Sequence, residues 1–261
     1  LNEAVRFVDL HVHLLPGLDD GPGAPDESIA LCRALVDQGV ELAAATCHQR
    51  GAFSRNHADA VREATRALAR SLDEAGVPLK VVPSAEWMLD ADAVERLDSC
   101  RSQLLTVADN GQFALVEFPF QVPPYVSMVV QTLRRWGVQP VLAHVEHYPQ
   151  LLHAPQRVRE LIDLGFLIQM NADSIARPRS DPKASACRRL VQRGLVHLAA
   201  SDAHGVARRP PALKAAFDVV AGWTNPSTAR LLFRDNPLAI VEGGAVAAPA
   251  PAGWLARLRR T

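Results

Sequence analysis

The sequence predicts an α/β fold, a distorted parallel (β/α)7 barrel with its working face at the C-terminal ends of the strands. Three observations carry this. Seven short apolar runs rich in β-branched residues alternate with helical patterns. Glycines punctuate the passage from helix to strand. Six of the seven runs end in a histidine or a carboxylate, at the rim where such barrels do their chemistry.

The strands are expected at residues 7–10, 42–46, 80–84, 114–118, 139–143, 167–170 and 196–200. Between the second and third, residues 57–75 set Val61, Ala64, Leu68 and Leu72 on one helical face. Val158, Leu161 and Ile162 do the same in the fifth interval, Leu190 and Val191 in the sixth. Gly39, Gly76, Gly137, Gly165 and Gly194 each follow a helical pattern and precede a strand, where a helix C-terminus favours glycine. An open nucleotide-binding sheet would show a glycine-rich turn after its first strand. Here that strand ends in His-Val-His, so the barrel is preferred. Residues 1–242 are read as one barrel. Residues 243–253 (GGAVAAPAPAG) read as a linker, and residues 254–261 (WLARLRRT) as a short basic end, frayed or docked.

Composition narrows the function. Hydrophobic residues make up 48% of the 261, ample for a buried core, and 21% are charged. Lys+Arg and Asp+Glu are both 28, a zero balance that argues against general nucleic-acid binding. The four cysteines (Cys32, Cys47, Cys100, Cys187) form no C-x-x-C pair and suit a reducing compartment. No apolar run is long enough to span a bilayer, and the opening LNEAVR lacks the plan of a signal peptide. A cytoplasmic location is expected.

The chemistry begins in DLHVHLLPGLDDG, residues 9–21. His11 and His13, two apart on a strand, point the same way and can grip one ion. A lone His-x-His is weak, but the pattern repeats. His48 follows the second strand, Glu86 the third, Glu117 lies in the fourth, His144 ends the fifth, and Asp202 and His204 end the seventh. Burying such groups unpaired costs about 2–7 kcal/mol each, and shared metal ligation supplies the partner. Imidazole mixed with carboxylate suits manganese, iron or zinc. About nine ligands exceed the four of a single site, so two or three ions with a bridging carboxylate are expected. Multinuclear sites suit phosphate esters: they hold phosphoryl oxygens, generate hydroxide near neutral pH and stabilise in-line displacement.

Together, DLHVHLLPGLDDG, Thr46-Cys47-His48, SAEW, ALVEFPF, PVLAHVEHY, IQMNADS, SDAHGVARRPP and the later DNP resemble the PHP (polymerase and histidinol phosphatase) superfamily. They look most like its bacterial metal-dependent protein-tyrosine phosphatases of capsular and exopolysaccharide synthesis. HVHLLPGLDDG with a distant SDAH is the specific part. The resemblance implies a PHP-type barrel and three ions, manganese first, with iron, zinc or magnesium as alternatives. His11, His13, Glu86 and Asp202 would hold one ion. Glu86, Glu117 and His144 would hold a second, and Asp20, His48 and His204 the third. Asp19 is an alternative to Asp20. Arg209 matches a phosphate-binding arginine, and Arg208 could substitute. Where the family carries an arginine three residues past His144, this chain has His147, which keeps a donor but loses the permanent charge and the fork. The implied substrate is phosphotyrosine on a protein, a bacterial tyrosine-kinase tail. The alternatives are a small-molecule phosphatase acting on, for example, histidinol phosphate, and a non-catalytic scaffold. The sequence sets no oligomeric state.

Other features read more plainly. Cys187 to Arg193 has the C-x5-R spacing of cysteine phosphatases but continues a helix, so the match is chance. His57, His153 and His197 are solvated or core residues. Asn171 lines the mouth or holds a loop. Trp87 and Phe118 to Phe120 are first of all packing, and Arg50, Arg134 and Arg135 surface charges.

Overall fold

In the computed structural model, which describes residues 5–50, 52–95, 97–119 and 121–252, all the strand pairs are parallel. The strands are β1 (Phe7–His13), β2 (Val40–Thr46), β3 (His48–Gln49), β4 (Lys80–Pro83), β5 (Glu86–Met88), β6 (Phe113–Glu117), β7 (Gln139–Leu142), β8 (Leu167–Asn171) and β9 (Leu198–Ala200). Each of the seven expected runs is a strand. Two of them break before the rim, at Cys47 and at Ser84–Ala85, so that β3 and β5 carry on from β2 and β4.

Those breaks divide the strands into two sheets, β1-β2-β4 and β3-β5-β6-β7-β8-β9. One seam is stitched by one backbone bond and the other by two. Glu86 N donates to Cys47 O at 2.9 Å on one side. On the other, Asp202 N donates to His11 O at 2.7 Å and His13 N to Ala203 O at 3.0 Å. The architecture is α/β with parallel sheets, and its strands do not close into one continuous ladder.

Alternation along the strands separates two layers of core. Val8, Leu10, Leu42, Ala44, Leu115, Val141, Ala143, Leu167 and Leu198 form an inner cluster. The complementary set, including Ala43, Ala45, Val116, Leu142, Ile168 and Ala199, packs outward against helices. Ala58–Glu74 shows why: Val61, Leu68 and Leu72 are buried along the expected stripe. All five glycines expected at helix ends take positive φ, a conformation that costs other residues a Cβ clash.

Following the inner positions upward leads to the site. Glu117 continues Leu115, and Gln169 and Asn171 continue Leu167, each by steps of two. His11 and His13 break the parity of Val8 and Leu10, and β1 pairing with β2 is irregular there, between Asp9 and Val12. His144, Asp202 and Arg209 have φ of 34°, 51° and 54°. Left-handed backbone at three non-glycine rim positions is strain of the kind kept at functional sites.

The later chain folds back on this frame. Asn236, in the DNP segment, is buried and donates to His197 O and Ala247 O, and accepts from Ala247 N. Ala252 N donates to Gln192 O at 2.7 Å. The expected basic end at 254–261 lies outside the described residues.

Candidate metal centre

All nine expected ligands stand together at the C-terminal rim. His11 Nε2 lies 3.1 Å from Glu86 Oε2 and 3.4 Å from Asp202 Oδ1, and His13 Nε2 3.6 Å from both carboxylates. His144 Nε2 lies 2.8 Å from Glu86 Oε1 and 3.6 Å from Glu117 Oε2. His48 Nδ1 approaches Glu86 at 3.3 Å and Glu117 at 3.1 Å, and its Nε2 lies 3.5 Å from Asp20 Oδ1. His204 Nε2 reaches the same Asp20 oxygen at 3.2 Å.

Among the described residues, three groups have donor atoms close enough to hold an ion: His11, His13 and Asp202; His48, Glu86 and Glu117; His13, Asp20, His48 and His204. Glu86 touches His11, His48 and His144 with its two oxygens, which is the position of a bridging carboxylate. His48 and His13 each serve two groups, and His48 rather than the expected His144 completes the group of Glu86 and Glu117, so the division differs from the expected one.

Electrostatics test the fit to cations. His13 and His204 stack with centroids 4.0 Å apart. Burial alone would lower His13, but hydrogen bonds to Asp19 and Glu86 overcome it and raise its pKa to about 10. Against the same pull, Asp20 and Glu117 raise His48 to about 11, and Glu86 raises His144 to about 9. Burial would raise Glu86, yet the charges and hydrogen bonds of His11, His13 and His144 hold it well below the usual carboxylate range. Asp20 is lowered by its hydrogen bonds to His204 and His48. Without cations, protons must neutralise the carboxylates. Glu117 Oε1 is buried and faces His48 Nδ1 at 3.1 Å without hydrogen-bond geometry, another sign that the donor set suits ions.

The choice between Asp19 and Asp20 is visible. Asp20 turns into the cluster. Asp19 Oδ2 instead accepts from His13 Nδ1 at 2.7 Å and from His48 N at 3.1 Å, and its Oδ1 from Gly21 N at 3.0 Å. Sequence reasoning missed Gln169. It is fully buried, its Oε1 accepts from His144 N at 2.6 Å and faces His11 Nδ1 at 3.4 Å, and its Nε2 donates to Asn171 Oδ1 at 2.8 Å. Asn171 Nδ2 then donates to Asp202 Oδ2 at 2.6 Å. The step of two from Gln169 to Asn171 on β8 was the available signal.

A cavity of about 230 Å³ opens over the cluster, walled by Phe118, Pro119 and Tyr148. Arg209 and His147 both line it. The Arg209 guanidinium pairs with Asp202, and its Nη1 lies 3.2 Å from His204 Nε2. Arg208 turns away to Asp20 O. His147 is exposed as a residue, but its ring stacks on His144 at 4.6 Å. Loss of hydration there, with the charges of His144 and Lys183, lowers its pKa.

The remaining candidates fall outside. Cys187 is buried in the helix Pro182–Gln192, and burial pushes its thiol up to about 12. His197 is buried and its Nδ1 accepts from Ile168 N. Trp87 is core, donating to Leu105 O. Phe120 lies outside the described residues. Arg50 is more than a surface charge: half-buried, it donates to Cys100 Sγ at 2.8 Å. His57 and His153 are exposed, and Arg134 and Arg135 reach Leu164 O and Asp98.

Known proteins share this fold and sequence. A solved structure described as YwqE from Bacillus subtilis and CpsB from Streptococcus pneumoniae, unique metal-dependent tyrosine phosphatases, superposes with a TM-score of 0.85 at 31% identity, covering 94% of this chain and 99% of that one. The tyrosine-protein phosphatase CpsB of Streptococcus pneumoniae is 30% identical over 241 residues, 90% of this chain and 98% of its own length. The tyrosine-protein phosphatase YwqE of Bacillus subtilis is 34% identical over 204 residues, 78% of this chain and 79% of its own. The phosphotriesterase homology protein of Escherichia coli, at 12% identity with a TM-score of 0.58, shares the fold, covering 90% of this chain and 98% of its own. The sequence pattern described as "Capsular polysaccharide synthesis, CpsB/CapC" matches residues 7–242. The chain belongs to the CpsB/CapC family.

Proposed function

We propose that the protein is a metal-dependent phosphatase that hydrolyses phosphotyrosine on a protein substrate. The observation that carries this is the convergence of nine histidine and carboxylate side chains on one cluster, buried except at the exposed Asp20 and half-buried His48, beneath a cavity lined by Arg209. The tyrosine-phosphatase names of its relatives support the substrate class.

His11, His13, Glu86 and Asp202 would hold one ion, Glu86, Glu117 and His144 a second, and Asp20, His48 and His204 a third, with manganese the first choice and iron, zinc or magnesium chemically acceptable. Bound ions would activate water and take up charge on the phosphoryl oxygens. The protein's own share is positioning. Asp19 and Gln169 orient His13 and His11 from behind. Arg209 presents planar donors to phosphate oxygens at the cavity wall. Phe118, Pro119 and Tyr148 form the apolar collar that an aryl ring needs. His147 stays neutral and offers a hydrogen bond near the leaving oxygen.

The finer reading is a distorted seven-unit PHP barrel over residues 1–242, followed by a tail at 243–261. The family match over 7–242 supports that boundary. The substrate is a bacterial tyrosine kinase of capsule or exopolysaccharide synthesis, met in the cytoplasm. No described helix is long and apolar enough to cross a membrane. Metal content, with aryl-phosphate turnover before and after chelation, tests the chemistry. Rates on a phosphotyrosyl peptide against histidinol phosphate test the substrate. Faster turnover of histidinol phosphate, or activity indifferent to chelation, would overturn the reading.

A further inference from the structure

A second cavity, of about 550 Å³, runs off the metal cluster between the loop after β1 and the loop after β9. Asp20 and His204 line it and belong to the cluster, and His204 also lines the cavity over the cluster, so the two cavities adjoin at that side chain. Its walls are firm. His204 N donates to Arg209 O at 3.1 Å, closing the turn, and Arg208 reaches across to Asp20 O.

Val206 projects from that turn with 53% of its surface exposed, one of two large hydrophobic residues so exposed among the described residues. Pro22 and Ala30 continue an apolar surface on the opposite wall. Exposed apolar surface beside a polar site marks a place where something binds. Two carboxylates, Asp26 and Glu27, are exposed on the same side, while the nearby Arg208 is engaged by Asp20. An acidic side chain entering the groove would meet these two exposed carboxylates at its wall.

The 230 Å³ cavity over the cluster is the size of one phosphotyrosine side chain, so a substrate chain must seat its neighbouring residues elsewhere. We propose that the groove between Val206 and Ala30 seats the residue beside the phosphotyrosine and selects an apolar side chain over an acidic one. This rests on the phosphotyrosine reading above, and the partner is a flexible peptide segment rather than a folded surface.

The test uses metal-loaded protein, phosphotyrosyl peptides with Leu or Asp on either side of the phosphotyrosine, and p-nitrophenyl phosphate, which cannot reach the groove. Wild type should cleave the Leu peptide with kcat/KM at least roughly fivefold above the Asp peptide. Val206→Asp should lower the ratio of Leu-peptide to p-nitrophenyl phosphate kcat/KM by at least about fivefold, through KM. Ala30→Trp, filling the groove from the other wall, should do the same. Equal cleavage of the two peptides, or variants that shift both substrates alike, would overturn the groove while leaving the phosphatase reading intact. No turnover of any of the three substrates would remove the phosphatase reading and the groove with it.

Discussion

Asp19 Oδ2 and His13 Nδ1 are 2.7 Å apart, with the aspartate side chain 1% exposed and the imidazole fully buried. That bond fixes the tautomer: Nδ1 carries the proton and Nε2 is left for the cluster. Because Asp19 also accepts from the backbone of Gly21 and His48, it holds two ligand-bearing segments in register. Asp19→Ala should weaken metal binding about 10–100-fold while leaving every ligand in place. Titration of the metal-free protein measures it, and affinity within about twofold of wild type would refute the orienting role.

Gln169 makes a similar case from β8. Leucine fills nearly the same space but cannot accept from His144 N or donate to Asn171. Gln169→Leu should cost about 1–3 kcal/mol of stability, the penalty for an orphaned buried donor, read from the denaturant midpoint. An unchanged midpoint would show that the network relaxes around the loss.

The strands, and eight of the nine residues that gather at the rim, were legible because they stand at or near the ends of apolar runs, which composition marks; Asp20, in the loop after β1, came only with the family resemblance. The division into two sheets was not legible, because the breaks at Cys47 and Ser84–Ala85 leave no compositional trace. Gln169 was silent for a different reason. An amide inside an apolar strand looks like an exposed edge residue until its partners, 25 and 158 positions away, are placed beside it. His144 and Asp202 reach the mouth through left-handed backbone, which no non-glycine sequence announces.

Protons and metal ions compete for the same imidazoles. In the metal-free protein His13, His48 and His144 are raised to about 10, 11 and 9, against about 6.5 when unfolded. Folded values above unfolded ones stabilise the protein fully below pH 6.5, and that stability is lost as pH rises through 9 to 11. The Tm of metal-free protein should therefore fall between pH 7 and 10, while metal-loaded protein stays level. Metal affinity should tighten at least roughly tenfold from pH 6 to 8, because the protons that the cation displaces from these imidazoles are released more readily at lower proton activity. A metal-free Tm that rises over that interval would contradict the assignment.

Cys187 offers a direct control on the reaction class. Its thiol is buried, raised to about 12 and set inside a helix rather than at the head of a phosphate-binding loop. Cys187→Ser should retain phosphatase activity, with a small loss of stability from the buried hydroxyl. Abolished turnover in a folded, metal-loaded variant would point to a cysteine mechanism instead.

His147 stands where the cavity meets solvent, its ring stacked on His144 and its pKa lowered by lost hydration and by neighbouring positive charge. A neutral imidazole donates a hydrogen bond to a departing phenolate oxygen without delivering the full benefit of an acid. His147→Ala should therefore reduce kcat on a phosphotyrosyl peptide by about 3–30-fold, less than the 10²–10⁴ of a true general acid. Bound metal should stay near wild type, since His147 meets the cluster by stacking its ring on His144 rather than through the carboxylates. Because the ring is already neutral, removing it should leave the shape of the pH–rate profile unchanged between pH 5 and 8. Wild-type turnover would discard the leaving-group role, and loss of a basic limb from the profile would show that the imidazolium, not the imidazole, does the work.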